Sequence, residues 1–234
     1  MPKPSLPRLI LMPGLDGSGA FFASLIKALA GKAETQILTY PRDGAQSYDA
    51  LAARLLPELP QTGDYVLVAE SFGGPLAVLL TAKANVKPKA LILTATFASN
   101  PFPLLGGIIS VAVPGFLRAK PLPVIEATLL RPGDHQMAWD VYKEISMLKP
   151  EILSARVKSV LSCDIREPLA ALDLPILYLQ GKRDKLISSA HGLLMQRTAR
   201  DLRIARIDAP HFVLQYDADS TVNDVLLPFL SSLN

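Results

Sequence analysis

The stretch YVLVAESFGGPLAVLLTAKA, residues 65–84, places a serine between a short apolar run and a longer apolar segment. The run at 65–69 is rich in Val and Leu, which is typical of a strand buried on both faces of a parallel sheet. Residues 73–84 have the length and composition of a helix. Ser71 therefore lies at a predicted strand-to-helix turn, where its hydroxyl can stand above the edge of a sheet.

Similar short apolar runs alternate with helical patterns along much of the chain. Besides 65–69, the predicted strands are 8–12, 37–40, 90–95, 176–180 and 203–207. The predicted helices are 20–30, 47–58, 73–84, 188–199 and about 220–230. This alternation predicts the α/β class, with about six mostly parallel strands and helices on both faces of the sheet.

The alternation stops between Thr96 and Pro175, a stretch far longer than the roughly two to six residues that usually join a strand to the next helix. Two helices are predicted inside it, at 135–148 and 151–161. We therefore predict a mostly helical cap over residues 97–174. The core is then formed by residues 1–96 and 175–234.

Composition and charge exclude several classes of protein. The formal net charge is +3 without any run of basic residues, so nucleic acid is not an expected partner. The longest apolar region, 102–117, is interrupted by proline and glycine, and the apolar run at 9–12 is too short for a secretory signal. We expect no stable membrane insertion. The single cysteine, Cys163, fits a reducing compartment, and we predict a cytoplasmic protein.

A serine at such a turn can serve as a nucleophile if the turn is tight. The residues two before and two after it must be small, and Ala69 and Gly73 meet this requirement. The backbone N–H of Phe72 can then donate to an oxyanion as negative charge develops. The alternative is that Ser71 only caps the helix, since serine is favoured at that position.

A serine hydroxyl needs a base to remove its proton, and histidine is the usual choice. The chain has three histidines. We predict that His135 and His191 face solvent, whereas His211 follows the last strand and emerges at the sheet edge that carries Ser71.

The imidazole in turn needs an acceptor, and Asp184 follows the preceding strand at the same edge. Its alternative role is to neutralise the basic residues beside it in a surface loop. Three other acids are weaker candidates: Asp208 lies too near the histidine along the chain, Asp217 lies past it, and Glu70 is expected to point away from the nucleophile.

The loop after the first strand can supply a second oxyanion donor. Residues 12–19, MPGLDGSG, contain three glycines that permit close backbone approach, so the amide of Leu15 can turn toward the site. The alternative is a nucleotide phosphate site. The glycine spacing matches neither G-x-G-x-x-G nor a phosphate loop ending in Lys-Ser/Thr.

Taken with their order Ser, Asp, His, these residues resemble the α/β-hydrolase superfamily over 8–230, and most resemble small bacterial carboxylesterases of the methyl-ester esterase and thioesterase type. The resemblance implies a nucleophile at Ser71, an acid at Asp184, a base at His211, oxyanion donors at Leu15 and Phe72, and a substrate pocket beneath the cap. The sequence departs from the family at Pro13, where histidine is usual, and at Ala69, where glycine is usual. The antiparallel strand pair that commonly precedes the first strand is not expected.

The predicted function is hydrolysis of a carboxylic ester or thioester with a hydrophobic acyl group through an acyl-enzyme. The predicted partner is a small-molecule ester or thioester, and the sequence does not determine whether an acyl carrier is also a substrate. The predicted chemistry needs no metal or cofactor. The predicted acyl pocket includes Phe102, Leu104, Ile108 and Phe116, which can equally be the packed core of the cap. The alternatives are a non-hydrolytic enzyme, such as a haloperoxidase or a lyase, and a ligand-binding protein on the same scaffold.

Overall fold

A single sheet of six strands forms the centre of the protein, whose computed structural model describes residues 6–103 and 121–233. All neighbouring strands pair in parallel, in the order β2-β1-β3-β4-β5-β6. The strands are β1 (Arg8–Met12), β2 (Thr35–Ile37), β3 (Tyr65–Glu70), β4 (Ala90–Thr94), β5 (Ile176–Gly181) and β6 (Leu202–Ile207). The predicted α/β class with about six parallel strands is confirmed.

Strand β3 is buried along its whole length, and its side chains alternate between two apolar clusters. Leu67 and Ala69 belong to the cluster on one face of the sheet, and Val66 and Val68 belong to the cluster on the other. Since successive side chains of a strand point to opposite faces, a strand covered on both sides must be apolar at every position. This explains the uninterrupted apolar run.

Helices cover both faces. The described α-helices are α1 (Ala23–Leu29), α2 (Tyr48–Leu55), α3 (Gly73–Lys83), α4 (Leu122–Leu129), α5 (His135–Ser146), α6 (Pro150–Leu161), α7 (Arg166–Ala171), α8 (Ser189–Thr198), α9 (Ala218–Ser220) and α10 (Leu227–Ser231). A π-helical turn, Thr221–Leu226, joins α9 to α10. Residues of α1 and of this closing segment pack on one face of the sheet, and residues of α2, α3, α7 and α8 pack on the other.

The connection from β4 to β5 contains α4, α5, α6 and α7. Its two ends lie side by side, because the N–H of Asn100 donates to the oxygen of Cys163 at 2.8 Å and the N–H of Ile165 donates to that of Ala98 at 2.8 Å. Leu169 of α7 is fully buried in the same cluster as Leu67 and Ala69 of β3. The boundaries of the cap, 97–174, stay a prediction.

Several predicted element boundaries differ from those observed. The strand predicted at 37–40 lies at Thr35–Ile37, since the amide of Tyr40 leaves the sheet to bond Gly17 at 2.9 Å. The helix predicted at 47–58 ends at Leu55, and a 3₁₀ turn containing Pro57 continues to Glu58. Proline lacks the N–H that a continuing α-helix needs.

Two short helices, α4 and α7, were not predicted at all, and the closing helix contains the unpredicted π-helical turn. Helix α4 begins at a Pro-Leu-Pro sequence, which is a poor helix signal except at the first turn. Helix α7 has six residues, too few to display a period of 3.6. Packing against neighbours, rather than local propensity, therefore determines these elements.

Within the ranges 6–103 and 121–233, none of the helices combines the length and the apolar character that crossing a membrane requires.

Candidate active site

Ser71 occupies a strained turn between β3 and α3. Its φ is +51°, a left-handed conformation that non-glycine residues rarely adopt. Both of its backbone polar groups are bonded at the end of β4: its N–H donates to the carbonyl of Thr94, the last residue of the strand, at 2.9 Å, and its carbonyl accepts from the hydroxyl of Thr96, two residues later, at 2.6 Å. The neighbouring strand therefore holds the serine in the strained conformation, which lifts the hydroxyl above the sheet.

The glycines after the serine are required by close approach of other parts of the chain. A Cβ added to Gly73 would lie 2.7 Å from the carbonyl oxygen of Pro13 and 2.8 Å from the Tyr40 hydroxyl. A Cβ added to Gly74 would lie 2.1 Å from Oγ1 of Thr96. Gly73, one of the small residues predicted from the serine turn, thus allows the loop after β1 to pass directly over the start of α3, and Gly74 allows the close approach of Thr96.

His211 reaches the serine from the loop after β6. Its Nε2 lies 3.0 Å from Oγ of Ser71, and the residue is only 4% exposed. This loop passes over the end of β5, because a Cβ on Gly181 would lie 2.5 Å from the carbonyl oxygen of Pro210. The absence of a side chain at position 181 allows the loop to come this close.

Asp184 completes a hydrogen-bonded chain with these two residues. Its Oδ2 lies 2.9 Å from Nδ1 of His211, while its Oδ1 accepts from the amides of Leu186 at 2.8 Å and Ile187 at 2.9 Å. A carboxylate only accepts, so Nδ1 carries the proton and Nε2 faces the serine hydroxyl as an acceptor. This is the tautomer in which an imidazole can remove a proton from serine.

The structure thus brings together the three residues that the sequence analysis selected from three distant loops. Among the described residues, Asp184 forms its ion pair with His211 and none with a Lys or Arg, and the adjacent Arg183 pairs instead with Asp208 at 3.1 Å. The side chains of His211 and Asp184 are 5% and 3% exposed, so water does not screen their interaction strongly. Such an arrangement can activate a serine hydroxyl for attack on a carbonyl carbon.

The loop that contains Leu15 lies beside the serine. A Cβ on Gly14 would be 3.8 Å from Cβ of Ser71, and both Leu15 and Phe72 border the cavity at the serine. Neither of their amides donates to a protein oxygen within the described residues. Two N–H groups at the cavity wall are what an oxyanion requires, and their role as donors stays a prediction.

A cavity of about 430 Å³ opens at Ser71 and His211. Nearly all of its lining is apolar or glycine: Pro13, Gly14, Leu15, Gly19, Phe21, Phe22, Phe72, Phe97, Phe102, Leu129, Val141, Ile145, Val157, Val160, Leu161, Leu186, Ile187 and Phe212. The side chains come both from the sheet edge and from α4, α5 and α6. A hydrophobic group attached to a reacting carbonyl can therefore be buried here.

Among the described residues, two acids that the sequence analysis does not place in the pocket, Asp16 and Glu70, also border the cavity. Burial raises the pKa of Glu70 to about 7, although a hydrogen bond from Gln215 at 2.9 Å and the nearby His211 oppose that shift. Asp16 is 7% exposed, and its Oδ1 accepts from the amide of Ser18 at 2.8 Å. Glu70 borders the same cavity as Ser71, but its carboxyl bonds to Gln215, and the expectation that it points away from the nucleophile stays a prediction.

Of the four residues predicted for the acyl pocket, Phe102 borders the cavity. Leu104, Ile108 and Phe116 lie outside the described residues. Six other lining residues, Leu129, Val141, Ile145, Val157, Val160 and Leu161, lie on α4, α5 and α6, for which the sequence predicts no role in the pocket.

The other histidines lie away from the serine. His135 is exposed and pairs with Glu126 at 2.5 Å. His191 was predicted to face solvent, but it is half-buried, and its Nδ1 has no partner among the described residues. Burial lowers its pKa.

A buried arginine near the oxyanion loop was also missed. Arg156 is 0% exposed and lies on α6, in a segment whose apolar pattern predicted only a helix. Lys and Arg are rarely fully buried, so sequence alone favours a solvent-facing position for such a residue. Only the contact between the predicted cap and the core reveals it.

Among residues 6–103 and 121–233, no group of three His, Cys, Asp or Glu side chains is arranged to hold a metal ion.

Comparisons with known proteins point to one fold. No protein-family model and no curated protein matches the chain. Among solved structures, the enol-lactonase from Burkholderia xenovorans LB400 is similar with a TM-score of 0.78 at 15% identity, over 97% of this chain and 92% of that one. A thermophilic esterase from Thermogutta terrifontis is similar with a TM-score of 0.79 at 19% identity, over 98% of this chain and 91% of that one. MenH from S. aureus is similar with a TM-score of 0.79 at 14% identity, over 99% of this chain and 96% of that one.

The chain therefore has the α/β-hydrolase fold, as the sequence predicted. Likeness at these identities does not determine the reaction or the substrate.

Proposed function

We propose that the protein is a serine hydrolase that cleaves a carboxylic ester or thioester with a hydrophobic acyl group. The observation that carries the proposal is the chain of two hydrogen bonds from Oγ of Ser71 through His211 to Asp184, at 3.0 and 2.9 Å. The α/β-hydrolase fold of the structural neighbours fits a hydrolase in general.

In this mechanism, His211 removes the proton of Ser71 as Oγ attacks the acyl carbonyl carbon. The amides of Leu15 and Phe72 stabilise the oxyanion. His211 then donates the proton to the leaving alcohol or thiol, and the carbon–oxygen or carbon–sulfur bond breaks. Asp184 stabilises the imidazolium formed in between. In the second half, His211 activates water, which hydrolyses the acyl-enzyme and regenerates the serine.

The preference for a hydrophobic acyl group is supported by the cavity. No Lys or Arg belongs to its described lining, and the acidic residues of that lining are Asp16 and Glu70. An acyl chain that ends in a carboxylate would be buried beside these acids without a cation to pair with, which is costly. We infer that neutral acyl chains are preferred, that residues 97–174 act as the cap over them, and that the enzyme works in the cytoplasm.

Covalent labelling tests the proposal most directly. The protein is incubated with a fluorophosphonate, digested and analysed by mass spectrometry, and nitrophenyl acetate, butyrate, octanoate and laurate are assayed in parallel with octanoyl thioesters. We expect an adduct on Ser71 and turnover that rises with chain length. In Ser71→Ala and His211→Ala, kcat/KM should fall by at least about 10⁴-fold.

Ser189→Ala is the matched control, since Ser189 is exposed at the first turn of α8 and lies away from the cavity. It should label and turn over as the unmodified protein does. A protein that gives neither adduct nor turnover with any ester or thioester would favour a ligand-binding role. Labelling at Ser71 without turnover would favour a non-hydrolytic enzyme.

A further inference from the structure

Arg156 is a buried cation without an ion-pair partner in the described part of the chain. It donates three hydrogen bonds to neutral oxygens instead: Nε to the side chain of Gln46 at 2.9 Å, Nη1 to the carbonyl of Leu15 at 2.8 Å and Nη2 to the carbonyl of Pro41 at 3.0 Å. Burial lowers its pKa, but a guanidinium remains protonated in proteins. Removing such a charge from water is costly, so its position calls for an explanation.

One of these bonds holds the loop that contains the proposed oxyanion donor. A peptide unit is planar, so the bond from Arg156 to the carbonyl of Leu15 fixes the peptide between Leu15 and Asp16. The preceding peptide is fixed separately, because the carbonyl of Gly14 accepts from the amide of Gly17 at 3.1 Å. That peptide carries the N–H of Leu15. With both flanking peptides bonded, the amide of Leu15 has little freedom to rotate.

The guanidinium also lies directly against this loop. A Cβ on Gly17 would be 2.6 Å from Nη1 of Arg156, and the φ of Gly17 is +69°. The Arg156 guanidinium carbon lies 5.7 Å from the ring centroid of Tyr40, whose hydroxyl donates to the carbonyl of Pro13 at 2.7 Å. Arg156, from α6, and Tyr40, from the segment after β2, thus hold the loop at the carbonyls of Leu15 and Pro13, on either side of Gly14.

We propose that Arg156 is a positioning residue, which orients the Leu15 amide toward the oxyanion when α6 is seated on the core. The inference rests on the proposed function. Arg156 does not border the cavity, so it acts through the loop and not on the substrate. A consequence is that the strength of the oxyanion site depends on one contact made by the predicted cap, the bond from Arg156 to the carbonyl of Leu15, which couples catalysis to a part of the chain outside the sheet.

The test compares Arg156→Ala and Arg156→Lys with the unmodified protein. The fraction of competent sites is first counted by fluorophosphonate labelling carried to completion, and kcat is then expressed per labelled site. We expect kcat per site to fall by about 10- to 100-fold in Arg156→Ala, with KM changed by less than about threefold, because an oxyanion donor acts chiefly in the transition state. The kcat per site of Arg156→Lys should lie between that of Arg156→Ala and that of the unmodified protein, since lysine keeps the charge but lacks the planar guanidinium.

Two further measurements separate positioning from a merely structural role. The affinity for a trifluoromethyl ketone, which forms a tetrahedral adduct with the serine, should fall in Arg156→Ala by the same factor as kcat/KM. Low millimolar guanidinium should restore part of the lost kcat in Arg156→Ala and have no effect on the unmodified protein.

The matched control variants are Arg131→Ala and Ser159→Ala. Arg131 is another arginine of the predicted cap and donates to the carbonyl of Asp208 at 3.1 Å, while Ser159 lies on α6 and donates to the carbonyl of Gln46 at 2.9 Å. Neither touches the oxyanion loop, so both should keep kcat per site even where the melting temperature falls.

An Arg156→Ala protein with undiminished kcat per labelled site, or with unchanged affinity for the ketone, would overturn the positioning role. If Arg156→Ala does not fold, Arg156→Lys decides by the same two measurements. If the unmodified protein neither labels nor turns over, the failure belongs to the proposed function, and the positioning role falls with it.

Discussion

The sheet edge and the predicted cap contribute different kinds of groups to the same cavity. From the sheet edge come the polar groups: Ser71, His211, Asp16 and Glu70 border the cavity, and Asp184 stands behind the histidine. Every cavity-lining side chain that the described part of the predicted cap supplies is apolar, as in Val141, Ile145 and Val157.

The difference follows from how each region is held. The ends of parallel strands lie at one edge at fixed spacing, so loops leaving them can place hydroxyl, imidazole and carboxylate groups within hydrogen-bond reach. The side chains through which the helices of the predicted cap line the cavity are apolar, and apolar contacts define a volume but not a hydrogen-bond geometry. We therefore expect substitutions at the sheet edge to change the chemistry. Substitutions of the cavity-lining side chains of the predicted cap should change selectivity, in contrast to Arg156, which does not line the cavity.

The largest effect in this comparison is expected from Asp184→Asn. Oδ1 accepts from two amides, so the asparagine oxygen should occupy that place and its NH₂ should face Nδ1 of His211. The imidazole must then accept at Nδ1 and carry its proton on Nε2, where it can no longer remove the proton of the serine. Steady-state assays should show kcat falling by about 10³- to 10⁴-fold.

Asp208→Asn is the matched control for this variant, because Asp208 pairs with Arg183 at the exposed side of the same pair of loops. Its kcat should change by less than about twofold, since exposed ion pairs contribute little. A comparable loss in both variants would show that the region acts only through stability.

A smaller effect, confined to selectivity, is expected from Val157→Phe in α6. The added ring fills part of the cavity from the cap side, so kcat/KM for nitrophenyl laurate should fall by about 10-fold or more while that for the acetate stays nearly constant. Val124→Phe, at a position of α4 that is 47% exposed and does not border the cavity, serves as control. Equal losses for both esters would contradict the division between chemistry and selectivity.

The smallest effect on turnover is expected from Glu70→Gln, whose main consequence is for stability. Burial raises the pKa of Glu70 to about 7 from 4.5, so between these pH values the folded state binds more protons than the unfolded chain. The free energy of unfolding should therefore decrease as pH rises through this window, by about 3 kcal/mol. Urea unfolding at pH 4.5 and pH 8 should show that Glu70→Gln removes most of this decrease.

Glu58→Gln, at an exposed position after α2, should leave the pH dependence unchanged. Turnover of Glu70→Gln should exceed that of Asp184→Asn at every pH, because Glu70 bonds to Gln215 rather than to the serine or the histidine. A pH dependence that persists in Glu70→Gln would place the responsible group elsewhere.

The sequence by itself determined the sheet and the three residues at its edge. The run at 65–69 is apolar at every position because β3 is covered on both faces, and the small residues around Ser71 are imposed by the turn itself. His211 and Asp184 could be selected because parallel strands all end at one edge, so position after a strand predicts position in space. These patterns are local, so they can be recognised in the sequence without knowing which segments pack against them.

Only the tertiary structure decided the cavity, the burial of Glu70 and the place of Arg156. The sequence of α6 does not reveal that Arg156 faces inward. The three oxygens that accept its hydrogen bonds, the carbonyls of residues 15 and 41 and the side chain of residue 46, lie more than 100 residues earlier in the chain. The pKa of Glu70 likewise depends on desolvation by distant segments. Burial is a property of the packed whole, whereas strand and turn patterns are properties of neighbouring residues.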